Sequence, residues 1–266
     1  MGYLNQGKTR RIKRIFQQDN RTVVVPMDHG VTIGPIQGIT NMQQTINQLV
    51  KGGVDAVLVH KGIAKTVDTT GTGLIVMLSG MSNLNPNMNN KVQVCSVKEA
   101  IRIGADAVSV HVNVGAQDED KMLHNLGKVA EECDSFGIPL LAMMYPRGPK
   151  IANEHALEVV AHAARIGAEL GADIIKTNYT GTIDSFKQVT ESCPVPVLIA
   201  GGPKCKSAEE ILQTTSDSIK AGAAGLSIGR NVFQCENQAL IVKALSAIVH
   251  KGASVEQAQK ILGEKP

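Results

Sequence analysis

The chain has 266 residues, of which 43% are hydrophobic, and its formal net charge is only +3. These values predict one folded domain over residues 1–266 and argue against a membrane protein, because no apolar run is long enough to span a bilayer. The five cysteines are dispersed without a CxxC pair, and the N-terminus lacks an apolar signal stretch. We therefore expect reduced thiols and a cytoplasmic location.

The first predicted element is a short N-terminal helix. Residues 8–14 are rich in lysine and arginine, a composition that also occurs in nucleic-acid-binding segments. However, the net charge of the whole chain is small, and Ile12 and Phe16 fit the apolar stripe of a helix. We therefore expect this helix to cover one end of the fold, and we expect no nucleic-acid partner.

A repeated unit follows, in which a helix ends at a glycine and a short apolar strand begins. It occurs at residues 52–59, 104–110, 171–176 and 222–228. Glycine ends a helix readily because it adopts the left-handed conformation, and the β-branched run that follows favours a buried parallel strand. With four further apolar runs, the pattern predicts eight strands, near residues 24, 57, 76, 109, 142, 174, 198 and 227.

Helical patterns separate most of these strands, as at residues 41–50, 98–103, 154–170 and 209–221. Two of them begin with a capping-box spacing, Ser96 with Glu99 and Ser207 with Glu210. The eight alternating units predict an α/β fold, a (β/α)8 TIM barrel of about 250 residues, with the N-terminal helix covering the barrel bottom. The alternative is a doubly wound open sheet, but no glycine-rich dinucleotide motif follows the first strand.

Lys176 ends the sixth predicted strand, directly after Ile174 and Ile175. At this position its stem would lie among apolar side chains and its amine would face the mouth of the barrel. Partial burial disfavours the ammonium form of a lysine, so the free amine becomes available to attack a carbonyl carbon. The alternative is a lysine that reaches the surface and pairs with a carboxylate.

Other polar residues stand at the carboxyl ends of predicted strands, where this fold places its active site. Asp28 follows the first strand, and Tyr145 and Arg147 end the fifth. Their structural alternatives are, in order, a helix cap, a packing residue and a surface ion-pair partner. Gly201-Gly202 and Gly229-Arg230 follow the seventh and eighth strands, the usual phosphate positions of a TIM barrel. We therefore expect an anion site there, with Arg147 beside it as a clamp.

The remaining ionisable residues at strand ends suggest no metal site. His60 and His111 end the second and fourth strands, and they leave a metal-dependent aldolase as a weaker alternative. Three aspartates precede strands instead, on the face that stabilises a barrel rather than the face that carries its chemistry. We expect these three to be structural: Asp55, Asp106 and Asp173.

Lys176, Tyr145 and Asp28 together meet the requirements of imine chemistry. A neutral lysine attacks a ketone, and an acid such as the Tyr145 phenol protonates the departing hydroxyl. The resulting iminium acts as an electron sink, and a carboxylate such as Asp28 accepts the hydroxyl proton as a carbon–carbon bond breaks.

The motifs at these strand ends resemble those of the archaeal-type class I aldolases, the DeoC/FbaB-like family. The similarity runs nearly end to end and is strongest at residues 25–35, 143–148, 175–181 and 200–204. The fructose-bisphosphate aldolases of this family carry Glu-His-Gly-Pro soon after Asp-His-Gly. Here Val31-Thr32-Ile33 stands between Asp28-His29-Gly30 and Gly34-Pro35, so the chain is more similar to the synthases of 2-amino-3,7-dideoxy-D-threo-hept-6-ulosonate.

The resemblance implies a transaldolase that works through an imine on Lys176, without a metal or other cofactor. The phosphorylated sugar 1-deoxy-D-threo-hexo-2,5-diulose 6-phosphate would be the donor, and L-aspartate 4-semialdehyde the acceptor, on an alternative route to 3-dehydroquinate. A fructose-bisphosphate aldolase is the alternative. The resemblance also implies a homo-oligomer, a decamer of stacked rings.

Family roles assign Lys176 to the imine, Tyr145 to proton donation and Asp28 to proton acceptance. They imply that substrate is bound by Asp28, His29, Gly30, Val31, Thr32, Tyr145, Pro146, Arg147, Gly201, Gly202, Gly229 and Arg230. Two questions stay open. The asparagine-rich stretch at residues 83–90 either shapes the acceptor pocket or covers the barrel. In addition, Lys61, Arg147 and Lys204 offer the second anion site that a bisphosphate aldolase needs.

Overall fold

A computed structural model describes residues 5–202, 205 and 207–263 of the chain. Eight parallel strands close into a barrel in the order β1-β10-β9-β8-β7-β6-β3-β2, which confirms the predicted (β/α)8 class. A separate two-stranded ribbon pairs β4 with β5. The strands are β1 Thr22–Pro26, β2 Ala56–His60, β3 Gly73–Met77, β4 Ser79–Gly80, β5 Val92–Gln93, β6 Ala107–Val114, β7 Leu140–Pro146, β8 Ile174–Thr177, β9 Val197–Ala200 and β10 Gly225–Ser227.

Helices follow most of the barrel strands and surround them. Within the described residues they are α1 Gln6–Ile12, α2 His29–Ile33, α3 Met42–Gly52, α4 Lys61–Ala64, α5 Val97–Ile103, α6 Glu119–Phe136, α7 Leu157–Glu169, α8 Ile183–Ser192, α9 Ala208–Lys220, α10 Arg230–Phe233, α11 Gln238–Lys251 and α12 Val255–Leu262. In the described part of the chain, no helix has the length and apolar character needed to span a membrane.

The apolar side chains form two separate cores because successive residues of a strand point to opposite faces. The larger core lies between the strands and the helices and includes Ile175 and Met144. The smaller core fills the barrel interior and includes Ile174 and Met143. Lys176, two residues after Ile174, therefore points into the barrel. This alternation sets the orientation of every side chain at the mouth.

The N-terminal helix covers the bottom of the barrel, as predicted. Ile15 and Phe16, just after α1, belong to the interior core. The cations of this segment pair with carboxylates that surround the strand starts: Lys8 binds Asp173, and Arg14 binds Asp106 at 2.8 Å. Two of the basic side chains in residues 8–14 therefore attach the helix to the barrel.

The three aspartates that precede strands have one common structural role. A carboxylate oxygen of Asp55 accepts the backbone N–H of Val23, and Asp106 and Asp173 do the same for the neighbouring strands that begin at Gly73 and Leu140. Each aspartate thus joins the start of its own strand to the start of the neighbouring strand. Their predicted structural role is confirmed.

Two local expectations were incomplete. Ser96 caps α5 by accepting the backbone N–H of Glu99, but the Glu99 carboxylate binds Lys61 and Lys65 instead of completing a capping box. The ribbon of β4 and β5 was not predicted, because each of its strands has only two residues. This ribbon brackets residues 81–91 and places them over the mouth of the barrel.

Candidate active site

A cavity of about 290 Å³ opens at the carboxyl ends of the barrel strands. Its walls come from loops after β1, β7, β9 and β10 and from the segment between β4 and β5. It contains most of the side chains predicted for the site. The lining residues are Pro26, Asp28, His29, Thr32, Ile33, Met88, Asn89, Lys91, His111, Asn113, Met143, Tyr145, Arg147, Lys176, Asn178, Ala200, Gly201, Gly202, Ser227, Gly229 and Arg230.

Lys176 lies deepest among the charged groups of this cavity. It is only 6% exposed, and its strand places it beside Met143 of β7 and Leu198 of β9. Its Nζ lies 4.0 Å from the Met143 sulfur, and no carboxylate of the described residues forms an ion pair with it. The alternative of a surface lysine paired with a carboxylate is therefore wrong. The amine is enclosed and directed into the cavity.

Asp28 supplies the carboxylate of the site. It occupies the N-cap position of α2, yet its side chain makes no capping hydrogen bond, so the alternative of a simple helix cap is wrong. Desolvation alone would raise the pKa of Asp28, but the positive charges of His29 in its protonated form and of Lys176 hold that pKa below its ordinary value. The group is therefore an ionised carboxylate, 20% exposed, that can accept a proton.

Tyr145 ends the inner row of β7 and faces Asn113 of β6. Its ring meets the His111 ring edge-on at 5.0 Å between centroids, and the guanidinium of Arg147 lies 4.4 Å above its centroid. These contacts fix the plane of the ring in the wall of the cavity. Tyr145 therefore lines the mouth, and it also packs against its neighbours, as expected of the alternative in which it is a packing residue.

Three histidines close to the cavity are neutral. Burial lowers the pKa of His29 and of His60, and Asp28 only partly opposes this effect. His111 is affected most: burial, with Lys91 and Arg147 nearby, lowers its pKa to about 3. Among the described residues, no group of three or more histidine, cysteine or acidic side chains is arranged to hold a metal ion.

The glycine loops after β9 and β10 lie side by side. Gly202 has φ of +62°, and a Cβ at this position would project into open space. The Gly202 carbonyl accepts a hydrogen bond from Arg230 at 2.9 Å, and the Gly201 carbonyl accepts one from Asn231 at 2.8 Å. These bonds hold both backbones against the cavity. The predicted neighbour Lys204 lies outside the described residues.

Three buried polar atoms near these loops have no hydrogen-bond partner. They are the Ser227 hydroxyl, the His29 Nδ1 and the Arg230 Nε. Buried polar atoms are normally paired, so unpaired ones in a cavity wall indicate a site that a polar ligand completes. All three residues border the side of the cavity that contains the glycine loops.

Three residues predicted to bind substrate do not line the cavity. Pro146 follows Tyr145 on β7, so the strand alternation turns it away from the interior. Val31 is 41% exposed and lies near Gly80 on the outer side of α2, and Gly30 faces Ile39. The cavity therefore gives no support to the prediction that these three residues contact the substrate.

The asparagine-rich stretch folds over one side of the mouth. The Asn83 N–H donates to the Thr32 carbonyl at 2.9 Å, and the Asn113 side chain donates to the Asn89 carbonyl at 2.6 Å. Met88 and Asn89 line the cavity. Both alternatives left open by the sequence therefore apply: the stretch covers the barrel, and it forms part of the cavity wall.

Two of the three cations considered for a second anion site, Lys61 and Arg147, lie within the described residues. Lys61 is paired with Glu99 at 2.9 Å and does not line the cavity. Arg147 does line it, but it is separated from the glycine loops by β8, and its Nε binds Glu154 at 2.7 Å. The strand order thus places Lys176 between Arg147 and the glycine loops, although all of them line the same cavity.

Sequence reasoning assigned no role to three polar residues of the cavity wall: Lys91, Asn178 and Ser227. Asn178 and Ser227 stand at the ends of predicted strands, so the strand-end rule places them at the mouth, but it gives them no function. Lys91 had a weaker signal. It stands directly before the alternating Val92-Gln93-Val94 run, which indicates a short strand and places the lysine at its beginning.

Comparison with known proteins identifies the family of this chain. The model of the DeoC/LacD family aldolases matches residues 22–235. Over 97% of this chain and 96% of the relative, the sequence is 45% identical to 2-amino-3,7-dideoxy-D-threo-hept-6-ulosonate synthase 1 of Archaeoglobus fulgidus. It is 40% identical to 2-amino-4,5-dihydroxy-6-oxo-7-(phosphonooxy)heptanoate synthase of Streptomyces griseus, over 92% of this chain and 90% of that one.

A solved structure extends the comparison. An archaeal fructose-1,6-bisphosphate aldolase, with its catalytic lysine covalently bound to the carbinolamine intermediate of the substrate, superposes with a TM-score of 0.86. It is 34% identical, and the match covers 91% of this chain and 98% of that chain. By its sequence, its barrel and its enclosed lysine, this chain belongs to the DeoC/LacD family of aldolases.

Proposed function

We propose that this enzyme is a class I transaldolase that makes 2-amino-3,7-dideoxy-D-threo-hept-6-ulosonate, an intermediate on an alternative route to 3-dehydroquinate and the aromatic amino acids. The observation that carries the proposal is the enclosed amine of Lys176, which points into a mouth that also contains an ionised Asp28 and two glycine loops. An amine in this position can form an imine with a ketone, and the cavity can hold the rest of a phosphorylated sugar.

The first half of the reaction cleaves the donor, 1-deoxy-D-threo-hexo-2,5-diulose 6-phosphate. The Lys176 amine adds to the C2 ketone, and Tyr145 protonates the carbinolamine hydroxyl, which leaves as water. Asp28 then accepts the proton of the C4 hydroxyl as the C3–C4 bond breaks, and the electron pair moves into the iminium. Hydroxypyruvaldehyde phosphate departs, and a hydroxyacetone enamine stays on Lys176.

The second half reverses these events with a new aldehyde. The enamine carbon attacks the aldehyde of L-aspartate 4-semialdehyde, and Asp28 returns its proton to the new alkoxide. Water then adds to the iminium, and the lysine amine is released with the seven-carbon product. All atoms of the products come from the two substrates and water, and the imine on Lys176 supplies the electron sink that the carbon–carbon cleavage requires.

The glycine loops are suited to hold the donor phosphate. The backbone at Gly201, Gly202 and Gly229 borders the cavity, and Arg230 adds a positive charge there. The unpaired Ser227 hydroxyl and Arg230 Nε give further donors for phosphate oxygens. Since the phosphate leaves with the first product, this site binds both donor and product.

Location and assembly belong to the same proposal. The dispersed cysteines favour a reducing cytoplasm. The family resemblance favours a homo-oligomer, a decamer of stacked rings, and sedimentation velocity of the purified protein measures its mass directly.

Replacing Lys176 by alanine tests the proposed imine. Wild-type enzyme mixed with donor and borohydride should gain the mass of the reduced three-carbon fragment on the peptide containing residue 176. Lys176→Ala should gain no such mass and lose all turnover, whereas Lys187→Ala on exposed α8 should behave as wild type. An adduct on another lysine would overturn the assignment.

The mass of the product distinguishes the candidate activities. Donor with aspartate semialdehyde should give a seven-carbon amino acid without phosphate. A product that carries a phosphate on carbon 7 would instead indicate the activity named for the Streptomyces griseus relative. Efficient cleavage of fructose 1,6-bisphosphate, with no seven-carbon amino acid, would establish the bisphosphate aldolase.

A further inference from the structure

His111 lines the cavity but has no role in the mechanism described so far. It lies on β6 in register with Met143 of β7, which is itself in register with Lys176 of β8. Met143 belongs to the interior core, and residues in register on neighbouring strands point to the same face, so His111 and Lys176 both point inward. Because neighbouring strands are about 4.8 Å apart, the backbones of His111 and Lys176 are separated by about 10 Å across the barrel wall.

A hydrogen-bond network fixes which ring nitrogen of His111 carries a hydrogen. The side-chain amide of Asn113 meets the Asn89 carbonyl at 2.6 Å, and a carbonyl only accepts, so the NH2 of that amide is on this side. The amide oxygen of Asn113 therefore faces the His111 Nε2, at 2.9 Å. This oxygen also only accepts, so the hydrogen of the neutral ring is on Nε2.

The other ring nitrogen, Nδ1, is consequently an unprotonated acceptor. Burial, together with the nearby charges of Lys91 and Arg147, lowers the pKa of His111 to about 3, so the ring is neutral near pH 7. Nδ1 makes no hydrogen bond with the residues that the structure describes, and it is not one of their fully enclosed polar atoms without a partner. Its lone pair is therefore open to the cavity that the ring lines.

The closed strand order places His111 on a definite side of the reacting carbons. From Lys176 on β8, one direction around the barrel meets β9 and β10 with the glycine loops, and then Asp28 after β1. The other direction meets Tyr145 on β7 and His111 on β6. A substrate chain that runs from Lys176 toward Asp28 therefore has the glycine loops on one side and the imidazole of His111 on the other.

One group of the donor has no partner in the proposed mechanism. The imine on Lys176 takes C2, Asp28 takes the proton of the C4 hydroxyl, and the glycine loops take the phosphate. The C3 hydroxyl is on the carbon next to the bond that breaks, and it stays on the fragment attached to Lys176. An enclosed hydroxyl without an acceptor costs binding free energy, so this hydroxyl requires a partner in the cavity wall.

We propose that the Nδ1 of His111 accepts a hydrogen bond from the C3 hydroxyl of the ketone bound to Lys176. The hydroxyl keeps its proton throughout, so His111 acts as a binding residue and not as a base. The bond restricts rotation about C2–C3, which keeps the breaking C3–C4 bond aligned with the iminium. The inference rests on the imine chemistry of the proposed function. It does not rest on the identity of the donor, because fructose 1,6-bisphosphate also has a C3 hydroxyl next to its ketone.

Borohydride trapping of two small ketones tests this assignment. Hydroxyacetone and acetone differ only in the hydroxyl, and each should leave a reduced adduct on Lys176 that is measured by mass. In His111→Phe, which keeps a ring beside Tyr145, the trapping rate with hydroxyacetone should fall about 3- to 10-fold, whereas the rate with acetone should stay within about twofold of wild type. The intrinsic reactivities of the ketones are the same for both proteins and cancel in this comparison.

Further variants separate recognition of the hydroxyl from a general defect. His111→Leu repeats the test with a smaller side chain, so the result does not depend on how the phenylalanine ring fits. The Asn113 oxygen loses its partner in both variants, but this loss affects the two ketones equally. His162→Phe, on the exposed face of α7, should match wild type with either ketone. Equal losses with both ketones, or a loss with neither, would overturn the assignment of His111.

The failure of this inference and the failure of the proposed function are distinguishable. If wild type forms the seven-carbon amino acid but the His111 variants lose no selectivity for hydroxyacetone, only the role of His111 is rejected. If wild type forms none of this product from aspartate semialdehyde, the proposed function is rejected. A selective loss with hydroxyacetone would then still support His111 as the acceptor for the C3 hydroxyl.

Discussion

At the scale of single residues, the position of Lys176 follows from the two-residue alternation of a strand. Ile174 and Lys176 point inward while Ile175 packs against the helices. The neighbouring strand applies the same rule and brings Met143 and Tyr145 inward. The chemistry of the mouth therefore depends on which alternate residues of each strand face inward. A shift of β8 by one residue would replace the inward lysine by an apolar side chain.

Tyr145→Phe tests the proposed proton donor. The ring should keep its contacts with His111 and Arg147, so the fold should be unaffected, but the carbinolamine hydroxyl would lose its acid. We expect kcat and the rate of borohydride trapping to fall about 100- to 10,000-fold.

Tyr179→Phe is the matched control for this experiment. Tyr179 packs on Phe186 with 5.2 Å between ring centroids, and its buried hydroxyl has no hydrogen-bond partner. Its removal should leave both rates within about twofold of wild type. Trapping by Tyr145→Phe at the wild-type rate would show that another group donates the proton.

At the scale of elements, the glycine loops after β9 and β10 are fixed by side chains from α10 rather than by their own sequence. Asn231, buried at the second position of this helix, donates to the Gly201 carbonyl and accepts the Cys205 N–H. Arg230, at its first position, donates to the Gly202 carbonyl. The helix that follows one strand thus shapes the loop that follows its neighbour.

Gly202→Ala tests whether this loop holds the donor phosphate. The new methyl group would project into the open mouth, where the phosphate backbone contact is proposed. We expect KM for the phosphorylated donor to rise about tenfold, while trapping of unphosphorylated hydroxyacetone changes little. The left-handed φ also costs about 1 kcal/mol of folding stability when a Cβ is added.

Gly53→Ala controls for that strain. Gly53 also has a positive φ, of 83°, and a Cβ there would also meet open space, but it caps α3 at the bottom of the barrel. Its replacement should cost similar stability and leave KM unchanged. If both variants raised KM equally, the effect would be one of stability, and the phosphate assignment would fail.

The sequence predicts those features that depend on local periodicity and on the order of strands. The barrel, the inward Lys176 and the stabilising aspartates follow from patterns of a few neighbouring residues. The placement of Lys91 and Arg147 in the wall of one cavity does not, because it depends on how the β4–β5 ribbon is arranged in space over the barrel strands. The β4–β5 ribbon is likewise a pairing of short segments whose own propensity is weak.

At the scale of the whole molecule, the two ends of the barrel have different tasks. The mouth contains polar atoms without partners, whereas the bottom is closed by paired charges that join distant parts of the chain. His250 of α11 illustrates the second case. It bridges Asp19 before β1 and Asp55 before β2, with 2.9 Å to each carboxylate. Folding stability and chemistry are thus carried by residues at opposite ends of the strands.

This bridge predicts a pH-dependent stability. Burial alone would lower the pKa of His250, but its hydrogen bonds with Asp55 and Asp19 raise that pKa above its ordinary 6.5. A raised folded-state pKa gives stability that is fully present below pH 6.5 and is lost as the pH rises through the higher value. Burial would raise the pKa of Asp19, but its hydrogen bond with His250 lowers that pKa below the ordinary 3.8. The Asp19 carboxylate therefore stays charged at the acid end of this pH range.

His250→Gln should therefore lower the free energy of unfolding by about 1 to 3 kcal/mol at pH 6, and by progressively less toward pH 9. Urea unfolding of wild type and variant at each pH measures the difference. Gln17→Ala is the control, since it removes a 2.6 Å hydrogen bond to the same Asp55 without removing a titrating group. Its cost should stay constant with pH, and an equally constant cost for His250→Gln would show that the imidazole is uncharged in the folded protein.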